Sequence, residues 1–337
     1  MLFRQLFDSE SSTYTYLLAD EATREAALID PVREQLQRDL TVLRELGLKL
    51  VYVLDTHVHA DHVTAAGLLR AETGARTVGG RKGPSCADLK VSQGEQIRFG
   101  EVVIGVLETP GHTDDSLTFQ AGNHLFTGDA LMIRAAGRTD FQNGDAGVLY
   151  DTITRVLFAL PDETLVHPAH DYKGLTVTTI GEEKRFNSRV AGRSRAEFIE
   201  LMNGLHLPKP KKIDEAVPAN RACGMVDGRA VRELDPSVLG SRQSATRLID
   251  VRDGAEIDGD GHLPGAQPVP LAALQAAAAE WNRDEAIVIV CKTGVRSARA
   301  AADLAALGFN NVATVRGGLE ALLKSGVQVE RLGRRMP

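Results

Sequence analysis

Cysteine is scarce in this sequence, with three residues in 337, and Cys86, Cys223 and Cys291 are widely spaced and odd in number. That spacing argues against a disulfide framework and leaves Cys86 and Cys223 as expected inert, buried thiols. A run of about 18 apolar residues is also missing, so no segment is expected to cross a bilayer. The start, MLFRQLFDSESS, has neither a long apolar core nor an Arg-rich, acid-poor character, and the expected location is cytoplasmic. Basic charge is not in excess: the net charge is −6, the pI about 5.9, and no polybasic stretch occurs, which excludes nucleic acid as an expected partner. Internal repeats and low-complexity tracts are absent as well. A homo-oligomer is compatible with this composition but is not indicated by it.

What is present is ordinary globular composition, 43% apolar and 25% charged. At roughly 150 residues per domain, the length predicts two domains. The first two hundred residues alternate strand and helix patterns. TYTYLLAD and EAALID read as strands, REQLQRDLTVLRELG as an amphipathic helix ending at Gly47, and LKLVYVLDT as a buried strand. VTAAGLLRAETG reads as a helix closed by Gly74. Hairpins are predicted to turn near Phe99–Gly100 and Gly122–Asn123, TLVHPAHD reads as a short strand, and EEKRFNSRVAGRSRAEFIELMNG as one helix. The texture then changes in LHLPKPKKIDEAVPANRACG, expected to be an extended connector between domains 1–220 and 221–337. Beyond it RLIDVRD, LAALQAAAAEW, AIVIV, SARAAADLAALG, NVATV and GLEALLKSG alternate as strand and helix, the pattern of a parallel sheet covered on both faces.

The densest chemistry lies in THVHADH, residues 56 to 62. His57 and His59, two apart in an extended segment, are predicted to point the same way, with Asp61 and His62 where the next helix begins. His112, Asp129 and His170 follow at strand-to-loop transitions, where α/β scaffolds carry chemistry. Imidazoles and carboxylates this crowded repel when protonated and are costly to bury unpaired, so a cation is expected to organise them. His124, His167, His206 and His262 read as structural or surface residues.

HVHADH with His112, Asp129 and His170 resembles the signature of the metallo-β-lactamase superfamily. The resemblance, over residues 1 to about 220, implies an αββα sandwich with the metal between the sheets at one edge. Within that superfamily, TGDALMIRAAGRTDFQNGD and HPAHDYKGLTVTTIGEEKRFN look like the persulfide dioxygenases. That resemblance implies one Fe(II) per chain on His57, His112 and Asp129, with His59, Asp61, His62 and His170 left as supporting or unused residues. It also implies glutathione persulfide and O2 as substrates, with sulfite and glutathione as products. Three open positions on such a facial set accommodate both a sulfur substrate and O2. The same residues also complete the ligand set of a two-zinc, glyoxalase II-like thioester hydrolase, which stays open as the alternative. Arg138, Tyr172 and Lys173, with Arg134 less strongly, are candidates by resemblance for holding the substrate's carboxylates; an ion pair of Arg138 with Asp140 is the structural alternative.

A second chemistry is written in CKTGVRSA, between the apolar strand AIVIV and a helix. A cysteine there faces backbone N–H groups and a helix N-terminus, with Lys292 and Arg296 nearby, so Cys291 is predicted to be an exposed thiol of lowered pKa. A cysteine phosphatase needs Arg six residues after Cys; Ser297 stands there and the arginine comes one residue sooner. The loop resembles instead that of the rhodanese sulfurtransferases, supported over residues 230 to 330 by LIDVRD and GHLPGAQPVP. This implies Cys291 as carrier of sulfane sulfur among thiosulfate, glutathione and sulfite. The loop N–H groups of Lys292, Thr293, Gly294, Val295, Arg296 and Ser297 are then its cradle. Asp250 and Arg252 read as structural. Together the two resemblances imply a fusion of an αββα metal domain with an α/β rhodanese domain.

Overall fold

The computed structural model describes residues 1–224, 232–237, 246–309 and 311–330, so residue 230, the expected start of the rhodanese resemblance, lies outside the described residues. The chain divides into two compact units, Met1–Met225 and Val226–Pro337, the first running past the boundary expected at 220. Among the described residues no helix is long and apolar enough to cross a membrane.

The first unit holds two six-stranded sheets. One contains β1 (Leu2–Asp8), β2 (Thr13–Ala19), β3 (Glu25–Ile29), β4 (Lys49–Leu54), β5 (Arg76–Gly80) and β6 (Leu89–Val91), in that order. The other contains β7 (Gln96–Phe99), β8 (Val102–Glu108), β9 (Leu117–Ala121), β10 (His124–Gly128), β11 (Leu165–Pro168) and β12 (Thr178–Thr179), also in sequence order across the sheet. Their inner faces meet in a core that includes Tyr16, Leu18, Leu54, Phe119 and Phe126. Alternation along a strand decides the layer: Leu17, between Tyr16 and Leu18, packs outward with Leu43 of α1 (Leu36–Glu45) and Leu69 of α2 (Ala66–Thr73). On the other side Leu125 and Val166 pack with Leu149 of α3 (Ala146–Asp151) and Phe198 of α5 (Arg195–Asn203). The layers are therefore αββα. In a core closed on both faces, truncating Phe126 to Ala would cost about 3–5 kcal/mol.

The helix expected over EEKRFNSRVAGRSRAEFIELMNG is two, α4 (Ile180–Phe186) and α5. Asn187 leaves helical geometry, and its side-chain amide donates to Glu183 and to the carbonyls of Ala135 and Met132, while Ser194 and Glu197 build a capping box that restarts the chain. The expected connector also contains a helix, α6 (Ile213–Arg221).

The second unit is a five-stranded sheet in the order β13 (Arg232–Leu234), β17 (Val312–Val315), β16 (Ile287–Val290), β14 (Arg247–Asp250), β15 (Ala266–Pro268), with every pairing parallel. Helices α7 (Gly254–Asp260), α8 (Leu274–Ala277) and α9 (Val295–Ala306) lie between its strands, and α10 (Gly318–Lys324) follows the last of them. All four residues of β16 are buried, as a strand covered on both faces requires. LAALQAAAAEW is not one helix: 3-10 turns flank the single turn α8.

Candidate metal centre and sulfur-carrying loop

The residues of the histidine and aspartate pattern lie in loops after β4, β8, β10 and β11. Strands β8 and β10 both run antiparallel to β9, and β11 runs parallel to β10, so three of these loops leave the same end of one sheet. The β4 loop comes from the other sheet. Asp30, the residue after β3, pins it by accepting the Thr56 N–H at 2.7 Å and the Thr56 hydroxyl at 2.8 Å.

Two adjoining donor groups result. Ligand atoms of His57, His112 and Asp129 lie within 4.8 Å of one another, and so do those of His59, Asp61, His62 and His170. His112 Nδ1–H donates to the Arg138 carbonyl at 2.7 Å, which fixes the tautomer and leaves the Nε2 lone pair 3.7 Å from Asp129 Oδ2. Gly137 permits that approach: a Cβ there would sit 2.5 Å from the Asp129 carbonyl oxygen and 2.7 Å from His112 Nδ1. GRTDF thus serves the site through its main chain. Burial, with His59 and His112 beside it, pushes the His57 imidazole well below its usual range, so it is neutral, as a ligand must be. Burial opposes the charge on Asp129, but His170, His112 and His57 outweigh it and hold the carboxyl well below the usual carboxylate range.

His170 is engaged on both ring nitrogens, Nδ1 with Asp129 Oδ1 at 2.7 Å and Nε2 with Asp61 Oδ2 at 2.9 Å. His62 Nδ1 shares Asp61 Oδ2 at 3.0 Å. His59 lies beside His57, their ring centres 4.0 Å apart; its Nε2 is 3.1 Å from Asp30 Oδ1, and Asp30 outweighs burial to raise its pKa to about 9. His59 Nδ1 and His62 Nε2 are buried with no hydrogen-bond partner among the described residues. Two imidazoles and a carboxylate in the first group suit a non-haem ferrous ion; both groups together suit a two-metal site.

A cavity of about 750 Å³ opens over these donors, walled by Met132, Phe141, Tyr172, Lys173, Arg189 and Lys211 among others. The Arg138 guanidinium is bidentate on Asp140 at 2.6 and 2.7 Å, reaches the carbonyls of Pro208 and Leu207 at 2.6 and 3.2 Å, and stacks 4.9 Å from the Phe141 ring centre. It ties the wall together rather than facing the cavity unpaired. Arg134 is likewise held by Glu182 and Glu183. Tyr172 is 72% exposed and lies parallel to the His170 ring at 6.2 Å. Lys173 has no carboxylate partner among the described residues.

Sequence reasoning missed Arg189. It is half-buried in the cavity wall, its Nη1 contacts Met202 Sδ at 3.3 Å, and no carboxylate pairs with it among the described residues. Burial lowers its pKa, the mark of a cation with little compensation. No motif signals it, because it sits in what reads as mid-helix.

The expected connector is also a wall of this site. Leu207, Pro208, Pro210, Lys211 and Lys212 line the cavity, and Lys212 pairs with Glu10 at 2.8 Å. The Asn220 amide donates to the carbonyls of His59 and His62 at 2.9 and 2.8 Å, while its oxygen accepts the Thr64 N–H at 2.8 Å. Cys223, expected to be an inert thiol, forms a disulfide with Cys86, their Cα atoms 6.0 Å apart across 137 residues of sequence. The odd cysteine count hid this pair, because the third cysteine belongs to the other unit.

In the second unit Cys291 follows β16 and α9 begins at Val295. The expected exposure is corrected: Cys291 is 1% exposed, Gly294 N–H donates to Sγ at 3.1 Å, and the Ser297 hydroxyl lies 3.5 Å away. Lys292 and Arg296 turn to α7, where Lys292 Nζ is 3.1 Å from Asp260 and Arg296 forms two 2.6 Å bonds to Glu256. The Cys291 carbonyl accepts the Leu319 N–H at 2.8 Å. Gly318, with φ +59°, allows this closure, since a Cβ there would meet the Cys291 oxygen at 2.5 Å. Arg252, fully buried, bonds Asp250 and the Gly261 carbonyl and so braces the end of β14.

Residues 9–84 and 87–170 match the model of the metallo-beta-lactamase superfamily, and residues 235–325 that of the rhodanese-like domain. The mouse protein named persulfide dioxygenase ETHE1, mitochondrial, is 49% identical over 228 residues, covering 67% of this chain and 89% of the relative. This chain belongs to the persulfide dioxygenase family. The crystal structure of ETHE1 from Myxococcus xanthus is 65% identical and superposes with a TM-score of 0.66 over 67% of this chain and 100% of that one. A metallo-beta-lactamase structure from Staphylococcus aureus, 23% identical with a TM-score of 0.61, covers 94% of this chain and 98% of its own length, a likeness of fold. The persulfide dioxygenase region ends before the rhodanese domain, so this member of the family joins the two in one chain.

Proposed function

We propose that the first unit oxidises glutathione persulfide with O2 and water to glutathione and sulfite, using one Fe(II) held by His57, His112 and Asp129. The single observation that carries this reading is the donor group of two imidazoles and one carboxylate, His57, His112 and Asp129, whose ligand atoms lie within 4.8 Å of one another. Ferrous iron, when bound, would supply the O2 chemistry that no side chain here can. His170, bridging Asp61 and Asp129, would orient the Asp129 carboxylate from outside. Arg189, Lys173 and Lys211 would receive the carboxylates of glutathione, leaving Arg138 to brace the wall. Tyr172, stacked on His170, would border the entry.

The second unit would transfer sulfane sulfur. The Cys291 sulfur attacks the outer sulfur of thiosulfate, the S–S bond breaks and sulfite leaves with its electron pair; glutathione thiolate then takes the sulfur and regenerates Cys291. The product, glutathione persulfide, is the substrate of the first unit.

A second reading, a two-zinc thioester hydrolase, is favoured by the buried, unpartnered His59 Nδ1 and His62 Nε2. Metal analysis of purified protein, with O2 uptake on glutathione persulfide, decides between them. About one iron per chain with O2 consumption is expected; two zinc ions with thioester hydrolysis overturn the dioxygenase reading.

A further inference from the structure

The mouth of the Cys291 loop is charge-paired. Its two cations each meet a carboxylate of α7. Arg296 engages Glu256 through both oxygens, and Glu256 is itself fixed by accepting the Asp253 N–H at 3.1 Å in the capping box of that helix. Lys292 pairs with Asp260, whose Oδ2 also lies 3.8 Å from Arg252 Nη1, a buried group with no hydrogen-bond partner among the described residues. The sulfur below receives one N–H, that of Gly294.

We propose that Glu256 and Asp260 are specificity-determining residues of this site: by neutralising Lys292 and Arg296 they weaken its hold on small dianionic donors such as thiosulfate and favour donors whose reacting end carries less charge. This inference rests on the sulfur-transfer reading above. A compact dianion binds best where cationic donors are unpaired. Here it must displace a two-bond carboxylate or enter a neutral mouth beside two anions. Glutathione persulfide suffers less, because its carboxylates lie several bonds from the terminal sulfur. If the acids only braced α7, removing their charge would alter stability and leave anion discrimination unchanged.

Glu256→Gln and Asp260→Asn test this in the full chain, since each keeps an acceptor oxygen and loses the charge. Cys291 is the one free thiol, so alkylation reports on it alone. Its sulfur displaces iodide from anionic iodoacetate or neutral iodoacetamide, and the ratio of the two rates measures the field at the mouth. The ratio is expected to rise about three- to tenfold in each variant and to fall back with added salt. KM for thiosulfate should drop by a similar factor with kcat little changed. An unchanged ratio in a folded variant overturns the proposal, and the salt dependence of the wild-type ratio, expected to be weak, provides the same test if a variant fails to fold. Should wild-type protein transfer no sulfur, the transfer reading fails while the ratio still tests the gate.

Discussion

The two sites place their chemistry in opposite ways. The metal centre gathers side chains from residue 57 to residue 170, carried on four loops, and depends on bracing by residues such as Asn220 and Gly137 that donate nothing to a metal. The Cys291 site is one continuous loop shaped by main-chain groups and by a second backbone segment against it. The first should fail when a distant side-chain brace such as Asn220 is lost. The second should fail when its own backbone is displaced, as by a Cβ at Gly318.

The sharpest break between them is functional. Cys291→Ser should abolish thiosulfate-to-glutathione sulfur transfer and spare O2 uptake on preformed glutathione persulfide, because a hydroxyl cannot carry sulfane sulfur. Asp129→Ala should do the reverse. An oxygen electrode beside a sulfite assay reads both, and loss of O2 uptake in iron-loaded Cys291→Ser would show the sites to be coupled. Next, Gly318→Ala should cut transfer on the order of a hundredfold by displacing the loop, with O2 uptake intact. Its counterpart, Asn220→Ala, leaves two carbonyls and an N–H unpaired behind the histidine loop and should cost about 3 kcal/mol in denaturant titration, with weakened metal retention. Equal effects of these two variants on both activities would erase the contrast.

Smaller effects sharpen it. Arg189→Ala should raise KM for glutathione persulfide about ten- to thirtyfold, more than Arg138→Ala, whose guanidinium is already paired; the reverse order would restore Arg138 as the carboxylate clamp. The smallest effect concerns Asp39 on α1, whose carboxyl burial pushes up to about 6 despite Arg38. Between about pH 4 and 6 the folded chain keeps a proton that the unfolded chain has released, so this contribution is full below pH 4 and is lost as pH rises through 6. Relative to Asp39→Asn, wild-type stability should therefore fall by about 1–2 kcal/mol over that window in pH-dependent thermal unfolding.

Local patterns were readable wherever neighbours in sequence are neighbours in space. Gly74 closes α2 in the left-handed region, and Gly100 and Gly122 turn the hairpins, as their positions between periodic runs predicted. Reading failed where a side chain answers to a remote group. Asn187 stops a helix to satisfy carbonyls near residue 135, and the stretch after residue 204, polar and proline-rich, reads as a connector although it walls a cavity. Arg138 and Arg189 are alike in sequence; only their partners separate the brace from the unpaired cation.

The sequence by itself determined the alternation of strands and helices, the parallel sheet of the second unit, the HVHADH run and the cysteine at a strand-to-helix turn, because periodicity and short spacing fix them; the αββα layering was legible only through the family resemblance. Tertiary structure alone decided the Cys86–Cys223 bond, the burial of the Cys291 sulfur, the main-chain role of GRTDF and the pairing of Lys292 and Arg296 with α7. Each of these depends on which distant donor or acceptor lies within about 3 Å, a distance set by packing and not by order along the chain.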